Sequence, residues 1–163
     1  MPERFTPAVL RVLREAGWSD GRRAETAASS EAFLQEWGFA VHRLAAEVIS
    51  EFDGLKCMAN DTQSWLNFDV RESLMWNLPW QTPAFAWIIG QPLCPVAHGN
   101  GSILLLAESG EVVWLKDDWL GYVREESFPY ALDTHFRADY GRTTWVDMDE
   151  KALEQVLTRL RRT

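Results

Sequence analysis

The sequence predicts an α+β fold, and three observations predict it. Helical periodicity fills the first third of the chain and returns in the last. Short apolar runs with hairpin turn signals lie between them. Helices, strands and helices are thus segregated along the chain rather than alternating. At 163 residues the length fits one ordinary domain, so residues 1–163 are expected to fold as a single unit.

Each element has a local reason. In Phe5-Thr6-Pro7, Thr6 suits an N-cap and Pro7 suits the first helical position. Val9, Val12, Leu13 and Ala16 then share one face, and Gly17 is placed to end the helix in the left-handed conformation. A polar connection follows at residues 19–23. Ser29 or Ser30 is expected to cap a second helix that Gly38 closes. Val41, Leu44, Ala45, Val48, Ile49 and Phe52 form the strongest helical stripe, stopped at Asp53-Gly54. His42, at its start, reads as a surface or capping residue.

Strands are expected at residues 55–59 and 65–70, with a short helix at 83–89 and extended chain at 93–97. Gly99-Asn100-Gly101 is a strong turn signal. Residues 102–107 and 111–116 flank Ser109-Gly110, which predicts a hairpin. Ile103-Leu104-Leu105-Leu106 lacks polar alternation, so this strand is expected to be covered on both faces. Ser127-Phe128-Pro129 starts a further helix carrying Ala131, Leu132 and Phe136. Residues 143–146 read as a late edge strand. Asp147 and Glu150 have capping-box spacing for a final helix through Leu153, Val156, Leu157 and Leu160.

Charge and composition narrow the function. The formal net charge is −8, which argues against nucleic acid and against an anionic membrane as direct partners, since both need Lys and Arg at the contact. The start of the chain lacks a signal-peptide pattern. The two cysteines, Cys57 and Cys94, have no ligand cluster beside them and read as core thiols in a reducing compartment. A cytoplasmic location is expected. Residues 108–154 hold twelve acidic side chains and five basic ones, a balance of −7. An acidic surface steers basic partners.

The search for chemistry finds little. His42, His98 and His135 are scattered, and no metal-binding, phosphate-binding or nucleophile motif is present. No cofactor is therefore expected. Asp117-Asp118, with Glu111 and His98 on adjacent strands, is the best enzymatic candidate. Neighbours in extended chain point to opposite faces, however, and an acidic loop is the plainer reading. Nine tryptophans are the other unusual feature, because Trp serves both cores and partner surfaces. Trp18, Trp37 and Trp114 fall on expected buried faces or cap positions. Trp76, Trp80, Trp87 and Trp119 fall in irregular segments and are better anchors for a partner.

A set of short motifs in fixed order carries a resemblance. These are Phe5-Thr6-Pro7, Leu13-Arg14-Glu15-Ala16-Gly17-Trp18, Gly21-Arg22-Arg23, Gly38-Phe39 and Glu51-Phe52-Asp53-Gly54-Leu55. Asn67-Phe68-Asp69, Leu93-Cys94-Pro95-Val96, Ser109-Gly110, Asp117-Asp118-Trp119-Leu120-Gly121 and residues 128–132 continue it. Over roughly residues 5–136 the chain resembles the third subgroup of the SUKH superfamily. The resemblance implies a central, largely antiparallel β-sheet with N-terminal and C-terminal helices packed on it. It also implies an immunity protein of bacterial polymorphic toxin systems, one that binds a toxin domain, often a nuclease or deaminase, and has no catalytic residues. Two features depart from the pattern: Asp53 stands where the family usually has Gly, and residues 137–163 add a strand and helix.

The two lines of reasoning meet in one expectation. Asp117, Asp118, Trp119, Glu125 and Glu126, with Glu108 and Glu111 nearby and Trp80 and Trp87 as anchors, form a surface for a cognate toxin with a basic surface. Two other readings remain beside it: a general interaction module of the same fold, and a small carboxylate-dependent hydrolase. Oligomeric state is open.

Overall fold

The computed structural model describes residues 4–76, 86–87, 89–116, 121–142, 145–147, 151, 154–155, 158 and 162. Three helices come first: α1 (Pro7–Glu15), α2 (Ala27–Glu36) and α3 (Arg43–Phe52). Strands β1 (Lys56–Ala59) and β2 (Ser64–Asn67) lead to α4 (Val70–Trp76). Strands β3 (Leu93–Gly99), β4 (Ser102–Ala107), β5 (Val112–Lys116) and β6 (Gly121–Glu125) precede α5 (Phe128–Arg137). A 3₁₀ turn at Tyr140–Arg142 and strand β7 (Val146–Asp147) follow. The strands form one seven-stranded sheet in the order β1-β2-β3-β4-β5-β6-β7, and every pairing is antiparallel. The fold is the expected α+β arrangement, with helices from both ends on a central sheet.

The caps explain the helix starts. Thr6 Oγ1 accepts from the Val9 amide at 3.4 Å, and Gly17 ends the segment at φ +94°. His42 caps α3: its Nδ1 accepts from the Ala45 amide, and its Nε2–H donates to the Leu106 carbonyl at 3.0 Å. Ser127 Oγ caps α5 by accepting from the Tyr130 amide.

Helix α2 starts earlier than expected, and neither Ser29 nor Ser30 caps it. Thr26 holds the cap position without a side-chain bond to the helix. Its hydroxyl donates instead to Asp53 Oδ2 at 2.5 Å, and Ser30 Oγ donates to the same oxygen at 2.7 Å. The Asp53 carboxylate is buried, and it ties the start of α2 to the end of α3.

A second correction concerns residues 65–70. The strand stops at Asn67, and Val70 already lies in α4. Asp69 Oδ1 accepts from the amides of Arg71 and Glu72, satisfying the donors that a helix start leaves open. Of the expected helix at 83–89, Ala86, Trp87 and Ile89 are helical, while 83–85 and 88 lie outside the described residues. So do Thr143, Thr144 and the apolar positions Leu153, Val156, Leu157 and Leu160 of the expected final helix.

The strand period sorts side chains onto two faces. Leu104, Leu106, Val112, Trp114 and Val123 join the larger core, which also holds Val9, Leu13, Ile49, Phe52, Leu132 and Phe136 from the helices. Ile103, Leu105, Val113 and Leu115 join a second core on the opposite face with Ile89 and Leu93. The run at 103–106 is therefore covered on both sides, as its composition demands. Phe52 centres the larger core, with ring centroids at 5.2 Å from both Phe68 and Phe128 and 6.1 Å from Phe5. Pro95 pairs with Leu105 of β4 beside a shift of register between Pro95 and Ala97, the kind of irregularity at which a sheet admits proline.

Trp18 and Trp114 are buried as expected. Trp37 is not: it is 51% exposed. Leu34 and Phe39 fill the inward side of this helix end, leaving Trp37 outside against the Phe33 ring.

Candidate functional site

A cavity of about 550 Å³ opens at one end of the sheet. Five stretches of chain build it. The β3–β4 turn supplies residues 99–102, strands β5 and β6 supply Trp114, Lys116, Val123 and Glu125, α5 supplies Thr134 and His135, and the segment after α5 supplies Tyr140 and Trp145. The turn is a two-residue hairpin loop in which Asn100 and Gly101 both have positive φ, 48° and 71°. That geometry explains the Asn-Gly pair. Asn100 Oδ1 also accepts from the Trp65 amide at 2.7 Å, which anchors the turn to β2.

Glu125 is the chemical centre of this cavity. It lies on the face of β6 that Val123 also uses, toward α5, and is 4% exposed. Its Oε2 accepts from Trp114 Nε1 at 2.6 Å, and the Thr134 side chain is hydrogen-bonded to it as well. Burial pushes the carboxyl above its ordinary range, and the bonds from Trp114 and Thr134 pull the other way without cancelling it. Among the described residues no ion pair reaches Glu125.

The walls are held rigidly. The His135 ring stacks on the Trp114 indole at 4.8 Å, and His135 Nε2–H donates to the Trp65 carbonyl at 2.8 Å. Burial lowers the proton affinity of His135, so the neutral ring is favoured. The Tyr140 phenol is pushed up by burial and by the negative charge of Glu125. Lys116 Nζ stands 4.7 Å from the centre of the Trp145 ring.

The residues expected at a partner surface separate into three groups. Asp117, Asp118, Trp119 and Trp80 lie outside the described residues. Glu108, Glu126 and Trp87 are exposed, Trp87 at 58%. Glu111 and Glu125 are engaged within the fold. Glu111 receives both Arg124 Nε–H and Nη2–H, and also the Gln91 amide; these bonds hold its carboxyl below the usual range. Glu125 was expected on the outer surface, yet its carboxylate lines the cavity. Of the other cavity residues, the sequence marks Gly99-Asn100-Gly101 as a turn, Trp114 as core and His135 as a scattered histidine, and it assigns none of them to a site. The signal for Glu125 was the period-two pairing of Val123 with Glu125, which places it inward.

Of the groups in the hydrolase reading, Asp117 and Asp118 lie outside the described residues, Glu111 pairs with Arg124 and His98 faces α4. One cluster there has the composition of a nucleophile triad. Ser73 Oγ lies 3.0 Å from His98 Nδ1, and His98 Nε2 lies 3.9 Å from Glu72 Oε1. Ser73 is fully buried, however, and its hydroxyl donates to the Asp69 carbonyl at 2.8 Å. The cluster therefore fastens α4 to β3, and its hydroxyl is closed to a substrate. No helix among the described residues is long and apolar enough to cross a membrane.

The family model described as "SUKH-3 immunity protein" matches residues 5–125. The chain belongs to the SUKH-3 immunity protein family. Nothing among curated proteins or solved structures matches it. Membership in SUKH-3 points to a toxin-neutralising immunity role and so to a cognate toxin as partner. The SUKH-3 match ends at Glu125. The cavity therefore straddles that limit: Gly99 to Glu125 lie inside it, whereas Thr134, His135, Tyr140 and Trp145 lie beyond it.

Proposed function

We propose that this chain neutralises a nuclease or nucleic-acid deaminase toxin by covering its basic active site with an acidic surface. Binding, without turnover, is the mode of action, and the cytoplasm is where it acts. The observation that carries the reading is the family match combined with the concentration of negative charge in residues 108–154. Glu108 and Glu126 support it, being exposed with no ion pair among the described residues. Such carboxylates present to a nuclease cleft the charge that phosphates present, and they speed association by long-range attraction. Trp87, exposed beside the second core, offers the apolar anchor that interfaces concentrate at their centres.

The test begins with affinity capture from the native lysate, the partner being identified by mass and then purified. Cells producing that toxin survive only when this chain is co-produced. Reversing the charge at Asp118 and Glu126 together slows association by roughly tenfold at low salt, and the effect shrinks as salt rises. Unchanged association would remove these carboxylates from the interface. Trp87→Ala weakens the complex without lowering the melting temperature.

A further inference from the structure

The buried carboxylate of Glu125 has more accepting capacity than its neighbours use. A carboxylate offers about four acceptor sites, and the described partners of Glu125 are two neutral donors, Trp114 and Thr134. Its negative charge is 4% exposed and meets no cation within ion-pair distance among the described residues. Such a charge is costly unless paired. It borders an open cavity of about 550 Å³ whose walls are aromatic: Trp114, His135, Tyr140 and Trp145. A carboxylate set among aromatic rings complements a flat, delocalised cation that offers forked N–H donors and stacks on rings. Among protein side chains that description fits arginine better than lysine.

We propose that this cavity receives an arginine side chain of the partner protein, with its guanidinium on Glu125 and among the aromatic walls. The assignment rests on the toxin-binding reading and names the group on the toxin that is recognised. Lys116 has a compatible place. It is only half-buried, and its Nζ lies over Trp145. There it can donate to a backbone carbonyl of the segment that carries the arginine. Because Thr134, His135, Tyr140 and Trp145 lie beyond the family match, a third of the residues lining the cavity belong to the part of this chain that follows it.

The test uses a probe that needs no toxin. Nα-acetyl-arginine amide is titrated into ¹⁵N-labelled protein, and the Trp114 indole N–H signal is followed. The expected result is a saturable shift with millimolar affinity. The citrulline analogue, which keeps the shape and loses the charge, binds at least about tenfold more weakly, as does the lysine analogue. Free arginine binds no tighter than the capped form. E125Q abolishes the shift while the melting temperature is kept. If E125Q does not fold, the citrulline comparison on the unaltered protein still decides. Absence of a saturable shift, equal binding of the citrulline or lysine analogue, or tighter binding of free arginine would overturn the assignment. Rescue of toxin-producing cells is scored separately. Failed arginine binding with intact rescue sinks the cavity assignment alone. Arginine binding without rescue supports the cavity and sinks the toxin reading.

Discussion

The indole of Trp114 and the imidazole of His135 lie almost parallel, their planes inclined by 14° and their centroids 4.8 Å apart. The same indole donates its N–H to Glu125. One side chain of β5 thus sets the positions of the groups that α5 and β6 contribute to the cavity. Trp114→Phe keeps an aromatic ring there and removes the donor. The cost is about 1–3 kcal/mol, since a buried acceptor loses a partner. Thermal unfolding at pH 7 reads this as a fall of several degrees. By pH 4.5, where the carboxyl, raised above its ordinary value, already holds its proton, the deficit shrinks. A Phe variant as stable as the parent at pH 7 would show that the bond contributes nothing.

Gly99 faces a backbone obstacle. A Cβ placed there would stand 2.0 Å from the Trp65 carbonyl oxygen and 3.0 Å from its carbon. That oxygen accepts from His135 Nε2–H, so it cannot retreat without breaking a buried bond. Gly99→Ala is expected to cost about 3 kcal/mol, at the upper end for overpacking. For a chain of this size that lowers the melting temperature by roughly 10 °C. Ser102→Ala, in the same turn region, serves as the control with little effect.

The pH dependence has a definite sign. Burial holds His98 and His135 below their ordinary value of 6.5. The unfolded chain therefore binds more protons as pH falls below 6.5, and stability declines on that side. Glu125 acts oppositely. Its carboxyl is raised above 4.5, so its contribution is fully present below 4.5 and is lost as pH rises through the raised value. The difference between the parent and His135→Gln isolates the histidine contribution. The parent loses more melting temperature than the variant between pH 7.5 and pH 5.5. Parallel curves would mean that His135 is not held neutral by the fold.

Cys57 and Cys94 are both buried, with burial pushing each thiol up to about 12. The thiolate is the reactive form. At pH 8 a disulfide reagent should find no reactive thiol in the native protein over minutes and both thiols in guanidinium chloride. Rapid native reaction at either would show local opening near β1 or β3.

Local chemistry made much of this architecture readable in advance. Thr6-Pro7 marks a helix start, Asn100-Gly101 a tight hairpin, and Ile103-Leu104-Leu105-Leu106 a strand between two cores. What escaped depended on distance along the chain. Thr26 caps α2 without bonding to it because Asp53, far downstream, captures its hydroxyl. Helix α4 is one short segment behind a strand, and its start is signalled only by the Asp69 side chain turning back onto its own backbone. The cavity draws on five stretches, so no window of sequence displays it. Glu125 shows both sides of the problem: its charge is plain in the sequence, while its inward direction follows from the register of β6 beside β5.

The succession of strands has a further meaning for how the molecule comes into being. Each strand finds its partner in the next strand made, so the ladder can be completed in the order of synthesis. Mostly local closure favours rapid folding and leaves few edges waiting for a distant mate. Two delays interrupt the order, after β2 and after β6, and each interval contains a helix, α4 and then α5. Because α5 and β7 follow β6, the cavity wall beyond Glu125 closes only after the six-stranded part of the sheet has been made. The newborn chain therefore assembles most of its sheet before the proposed arginine receptor exists.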